Sequence, residues 1–144
     1  MNDSQRFPFV RADEIWGDAS LMPLVPVILS SERHSLQAQA LLDTGATVNV
    51  LPYGLGVKLG AVWNPQLPPL RLTGALARFE ARPLKVGCSV GRFEALPLIF
   101  AWSLAEDIPL IFGHVNFFME FDVCIYRSQF WFELQPKSNT FKRK

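Results

Sequence analysis

Apolar and polar side chains alternate with period two along much of this chain, the spacing of strands that bury one face. From Ser35 to Leu42, Leu36, Ala38, Ala40 and Leu42 share one face, while Gln37 and Gln39 share the other. A half-buried strand is predicted there. Val48 and Val50 then alternate with Asn49 before Pro52, so a tight turn holding Asp43-Thr44-Gly45 should join two strands. Further on, Ala75, Ala77, Phe79 and Ala81 alternate with Arg78, Glu80 and Arg82, and Leu70 and Leu72 precede Thr73-Gly74. That pattern predicts a hairpin tipped near Gly74. Residues 84–88 and 93–100 read as two strands around a turn in which Gly91 supplies conformational freedom. Residues 123–126 and 130–134 read as two more, and Pro136 should end the regular structure.

Helical spacing is scarce, because 11 Pro and 9 Gly divide the chain into short segments. After Gly113, Val115, Phe118, Met119 and Asp122, with Phe117 and Phe121, fall three and four apart, predicting about two turns of helix. Residues 53–59 form a second candidate, opposed by Gly54 and Gly56, each costing about 1 kcal/mol against Ala in a helix interior. There is no internal repeat. The fold class is therefore mostly β.

At 144 residues the chain fits one domain, and 49% hydrophobic residues, with 12 Phe and 4 Trp, exclude intrinsic disorder. We divide it into an N-terminal extension over 1–20, a domain over 21–135 and a basic, flexible tail over 136–144 ending Lys142-Arg143-Lys144. Pro23 with Pro26, and Glu106 with Asp107, interrupt the greasiest stretches, so no membrane span is expected. The start of the sequence lacks the pattern of a secretory signal, which predicts a cytoplasmic protein. A net charge of +1 gives no electrostatic reason to bind nucleic acid or anionic lipid. Cys88 and Cys124 have no Cys or His at metal-ligand spacing, so no metal is expected and both should be buried. His34 and His114 have no suggestive nucleophile beside them and read as ordinary surface or packed histidines. Tryptophans at 16, 63, 102 and 131 are too scattered for a stacking platform and suit core or dimer burial. Glu106-Asp107 reads as a polar turn.

One acid stands apart. Asp43 closes an apolar strand, flanked by Leu41-Leu42 and Ala46, a poorly hydrated setting in which a carboxylate is costly unless used. The bland reading is an Asp that caps its own turn by accepting backbone N–H bonds.

The surroundings make the motif specific. Leu41-Leu42-Asp43-Thr44-Gly45-Ala46-Thr47, continuing through Val48 to Pro52, resembles the active-site segment of retropepsin-like aspartic proteases. Downstream, Ile111-Phe112-Gly113 leading into His114 is similar to the family's second element, and residues 70–81, with Gly74 near the tip, resemble its flap hairpin. The resemblance covers about residues 24–134. It implies a single-lobe closed β-barrel with a flap hairpin and one short helix near the C-terminal part, functional as a homodimer. It implies Asp43 as the catalytic acid, paired with Asp43 of a second copy across the twofold axis, and a polypeptide as substrate. Thr44 would bond across the dimer beneath the pair, Gly45 would admit the substrate backbone, and Ala46 and Gly113 would support the site. Thr47, Thr73, Gly74 and Ala75 would line the flap and cleft. No metal or organic cofactor is implied. Ala46 stands where pepsin-like relatives carry a hydroxyl that bonds the catalytic carboxylates, so activity is expected to reach into mildly acidic pH.

The chain also departs from the pattern. Viral members carry an Arg after the helix-leading Gly, paired to an Asp two residues beyond the active-site Gly; here His114 and Thr47 stand there. Their dimer contacts therefore do not carry over, and the segment from Val123 onward adds a hairpin. Asp107 and Asp122 lack the Asp-Thr-Gly context, and Asp122 should lie on the surface. The sequence reads as an aspartic endopeptidase. The alternative is a catalytically silent peptide-binding or dimerisation module on the same fold, favoured by the missing Arg and Asp and opposed by the intact Asp43-Thr44-Gly45.

Overall fold

The protein is described by a computed structural model covering residues 3–12 and 20–138. Its strands are β1 (Gln5–Pro8), β2 (Val10–Arg11), β3 (Leu21–Met22), β4 (Leu24–Ser30), β5 (Ser35–Leu42), β6 (Val50–Leu51), β7 (Ala81–Val90), β8 (Leu96–Ser103), β9 (Leu110–Phe112), β10 (Phe121–Tyr126) and β11 (Trp131–Pro136). Two short helices, α1 (Tyr53–Lys58) and α2 (Phe117–Glu120), complete the regular structure with single 3-10 turns.

Six strands close a barrel in the order β4-β5-β9-β6-β8-β7. Its interior follows from alternation: Val25, Val27 and Leu29 point inward from β4, while Pro26 and Ile28 between them face out. Ala40 and Leu42 of β5, Val86, Cys88 and Val90 of β7, and Leu98, Phe100 and Trp102 of β8 complete the same core. The strand over Ser35–Leu42 lies where the alternation predicts it, and the pair β7 and β8 forms the expected hairpin around Gly91, whose φ of +54° only glycine adopts freely.

Beside the barrel stands a three-stranded antiparallel sheet, β1-β11-β10, with Phe7 opposite Phe132 and Val123 opposite Leu134. Phe117 welds the two layers, stacking 4.1 Å from Phe112 of the barrel and 4.9 Å from Phe121 of the sheet. β10 and β11 are the additional hairpin expected after Val123. β1 was not foreseen: the stretch read as an extension supplies the third strand, because Phe7 finds Phe132 to stack on at 5.2 Å. At the other end, Lys137 pairs with Glu120 at 3.0 Å and donates its backbone N–H to the Glu120 carbonyl, so the chain stays anchored just past β11. Trp16 and Lys142-Arg143-Lys144 lie outside the described residues.

Three expectations need correction. The flap hairpin over 70–81 is absent as a hairpin: the chain runs as a loop, with one 3-10 turn at Gly74–Leu76, and pairs as a strand only from Ala81. Thr73, Gly74, Ala75 and Ala77 are exposed, so the alternation there has too little apolar area to bury a strand face. Bonds from Ala77 N to Gly74 O and Phe79 N to Leu76 O curl the chain instead. The helix after Gly113 lasts one turn, because Phe121 leaves it to pair with Pro136; Asp122 accordingly sits on a strand, exposed as expected. Cys124, on the outward face of β10, is exposed rather than buried. Among the described residues no helix is long and apolar enough to cross a membrane.

Two tests follow. In α1 a Cβ at Gly54 meets nothing within 4 Å, whereas one at Gly56 drives into the Trp102 indole, itself stacked on Tyr53 at 5.5 Å. Gly54→Ala should stabilise by about 0.5–1 kcal/mol through helix propensity, and Gly56→Ala should destabilise by about 1–3 kcal/mol through overpacking, as read from urea midpoints. Burial pushes the Cys88 thiol up to about 12, so in the native protein an alkylating reagent at pH 8 should label Cys124 alone, and both cysteines after unfolding.

Candidate functional site

Asp43 is the first residue past β5, and the loop it opens is fixed by strand β9. β9 lies parallel to β5, with Leu42 opposite Phe112, and antiparallel to β6 at Val50 and Ile111. The Asp43 N–H donates to Phe112 O at 3.1 Å. Beyond Gly113 the chain continues along the loop: His114 N donates to Ala46 O at 3.0 Å, Val115 N to Thr47 O at 2.8 Å, and Asn49 N to Val115 O at 3.0 Å. Residues 43–49 are thus laced to 112–115 along their length.

The lacing needs Gly113. A Cβ there would stand 2.5 Å from the Val48 carbonyl oxygen and 2.8 Å from that of Ala46, backbone atoms that cannot step aside. It also needs Asn49, which is fully buried. Asn49 Oδ1 accepts from Gly113 N at 2.9 Å, and its Nδ2 donates to Ile99 O and to Asn116 Oδ1, each at 3.0 Å. Asn116 Oδ1 also accepts from Ile99 N at 3.2 Å, so the network ties the loop, Gly113 and β8 together with its buried amide satisfied. Sequence reasoning missed both asparagines. The signal was a polar residue between Val48 and Val50, which alternation assigns to a solvent face.

Within the loop, Ala46 N donates to Asp43 O at 3.0 Å and Gly45 N to Asp43 Oδ1 at 2.9 Å. The capping role is therefore real and occupies one carboxylate oxygen. Among the described residues nothing bonds Oδ2. Asp43 is half-buried, with Thr44, Gly45 and Thr47 exposed, a more open setting in the single chain than the flanking leucines suggest. The cause is strand alternation, which sends Leu42 into the core and turns Asp43 outward. A Cβ at Gly45 would lie 3.4 Å from Asp43 Oδ1, an ordinary contact, so among the described residues nothing demands glycine there.

The other candidates distribute unevenly. Thr44, Gly45, Ala46, Thr47 and Gly113 gather around Asp43 as expected. Ala46 and Val48 pack on an apolar cluster of Val50, Leu72, Ala81, Ala101 and Ile111, against which Leu70 and Leu76 also lie. The loop carrying Thr73, Gly74 and Ala75 thus rests on the cluster that underlies the Asp43 loop, although those three residues are themselves exposed. Asp107 lines a separate hollow of about 410 Å³ with Ala75, Arg78 and Glu106. Asp122 lines another, of about 440 Å³, with Thr44, His114 and Phe118. His114 is exposed but not idle: its Nε2 lies 2.7 Å from the Thr44 carbonyl oxygen. Among the described residues no three His, Cys, Asp or Glu side chains converge as a metal site.

Neither a protein-family model nor a curated protein sequence matches the chain. Among solved structures it is similar to the crystal structure of a retropepsin-like aspartic protease from Rickettsia conorii, with a TM-score of 0.60 and 14% identity over 93% of each chain. At that identity the likeness establishes the fold: a mostly β, retropepsin-like closed barrel with few short helices.

Asn49→Leu keeps approximate size but orphans the buried Gly113 N–H and removes the bonds to Ile99 O and Asn116 Oδ1. A loss of about 3 kcal/mol or more is expected in denaturant unfolding, since each unsatisfied buried group costs about 1–3 kcal/mol.

Proposed function

We propose that this protein is an aspartic endopeptidase working as a homodimer, in which Asp43 of each copy supplies half of the catalytic pair. The observation that carries this reading is the Asp43 carboxylate itself, with one oxygen fixed by Gly45 N and the other unengaged, at the outer side of a loop pinned to Gly113 on a retropepsin-like barrel.

A second copy supplies what one chain lacks. Peptide hydrolysis by this route needs two carboxylates, and neither Asp107 nor Asp122 lines a hollow with Asp43. Thr44 and Gly45 lie exposed beside Asp43, and Val115 and Met119, 54% and 61% exposed, present apolar surface just past Gly113. A twofold axis through this face brings Asp43 to Asp43.

Two close carboxylates cannot both ionise cheaply, so they share a proton. The ionised one takes a proton from a bound water, whose oxygen attacks the peptide carbonyl carbon while the protonated one gives its proton to the carbonyl oxygen. Collapse of the tetrahedral intermediate breaks the C–N bond: the protonated carboxyl gives its proton to the departing amine while the ionised one takes a proton from a hydroxyl of the diol, so the pair again shares a single proton. Thr47 belongs to the cleft on this reading. The loop bearing Thr73, Gly74 and Ala75 covers an extended peptide, and its exposed Gly74, with φ of +65° and open space around it, suits a tip that moves. The tolerance of the chain itself for a side chain at Gly45 fits a glycine kept for close approach of substrate.

The test is cleavage of a mixed peptide library at mildly acidic pH, with and without a statine-type transition-state inhibitor. Asp43→Asn should lower the rate by about 10²–10⁴-fold with the fold intact, and specific activity of the wild type should fall on dilution as dimers dissociate. Cleavage that survives Asp43→Asn, or a fully active monomer in sedimentation, overturns the proposal. Peptide binding without cleavage points to the silent module instead.

A further inference from the structure

We propose that His114 is the positioning residue of this site: by donating its Nε2–H to the Thr44 carbonyl it fixes the Asp43-Thr44-Gly45 turn in its working shape. The inference rests on the reading of Asp43 as catalytic, and it assigns a task to a residue that sequence patterns leave without one.

The geometry specifies the bond. A carbonyl oxygen only accepts, so at 2.7 Å the hydrogen sits on Nε2 of His114. His114 grips the loop twice, since its backbone N–H already donates to Ala46 O at 3.0 Å. The two bonds hold carbonyls on either side of Gly45, the residue whose N–H fixes Asp43 Oδ1. The ring is braced in turn. Phe118 meets it edge-on at 5.0 Å and 82°, donates its own backbone N–H to Gly113 O at 3.1 Å, and packs on the fully buried Phe117 at 5.7 Å. A continuous line of contacts therefore runs from the core through Phe117 and Phe118 to His114 and on to Thr44.

Thr44 needs such a tie. It is exposed, and the residues flanking it are held by Asp43 N to Phe112 O and Gly45 N to Asp43 Oδ1, which leave the Thr44 carbonyl to His114. One exposed hydrogen bond does little for global stability, but it shifts the population of one local geometry by about fivefold. A carboxylate that must meet its counterpart across a dimer axis depends on that population.

Two substitutions separate the bond from the ring. His114→Phe keeps the edge-to-face contact and removes the donor; His114→Gln removes the ring and keeps an N–H at a similar reach. Amide hydrogen exchange at Gly45 and Ala46, followed by NMR, reads the turn without requiring activity, and peptide cleavage reads its consequence. We expect His114→Phe to speed exchange at both amides by about five- to tenfold and to lower kcat by a similar factor, with KM and Tm little changed. His114→Gln should return both to within about twofold of wild type. The proposal is overturned if His114→Phe exchanges like wild type, if Gln and Phe behave alike, or if exchange quickens while kcat holds. Should His114→Phe not fold, His114→Leu takes its place in the same comparison. A wild type that cleaves no peptide defeats the protease reading, while the exchange data still decide whether His114 holds the turn.

Discussion

Everything at the site depends on how closely the backbone at Gly113 passes under the loop that begins at Asp43. The Val48 and Ala46 carbonyl oxygens stand 2.5 and 2.8 Å from where a Cβ would be, so the approach exists only because Gly113 has none. That closeness lets His114, Val115 and Asn49 exchange backbone hydrogen bonds across the crossing and lets the Gly113 N–H reach Asn49 Oδ1. Pushing the strands apart by the width of a methyl group would break the ladder at several points together. The path of the Asp43 loop is therefore set by backbone contacts, to which His114 adds one side-chain bond at Thr44.

The barrel and the crossing tolerate substitution very differently. A barrel interior accepts many apolar combinations provided volume and alternation are kept. A backbone crossing accepts almost none. The side chains that fill β4, β7 and β8 can drift, whereas the glycine at the crossing cannot be replaced without losing the geometry.

The same distinction governs what was legible in the sequence. The strand ending in Leu42 and the hairpin around Gly91 could be read because a period of two coincides with real burial at Ala40, Leu42, Val86 and Leu98. The turn at Asp43 could be placed because the alternation of the strand runs out at Leu42, and the short helix after Gly113 because aromatic residues there recur at helical spacing. The hairpin over 70–81 was misread: Ala75 and Ala77 alternate correctly but are too small to bury a face, and a binary pattern ignores size. The helix after Gly113 was drawn too long because Phe117 and Phe121 satisfy helical spacing while Phe121 in fact begins a strand. β1 and the asparagine pair were invisible for another reason. Phe7 is placed by Phe132, and Asn49 by Ile99, Gly113 and Asn116, partners far away in the chain.

Where the resemblance would place an Arg–Asp pair, this chain has His114 and Thr47, and their contacts differ in kind from an ion pair. An ion pair at that place would tie two side chains by charge, and its strength would fall with salt wherever water reaches it. The imidazole instead reaches backbone: its Nε2 meets the Thr44 carbonyl, and Thr47 is tied through its own carbonyl to Val115 N, leaving its side chain out of the lacing. The loop therefore does not rely on the Thr47 side chain for its shape. The work of holding passes to residues 113–118, where one turn of helix sets Phe118 against the ring of His114. A turn built this way is held by main-chain bonds and one braced ring, with Asp43 half-buried and Thr44 and Gly45 exposed beside it.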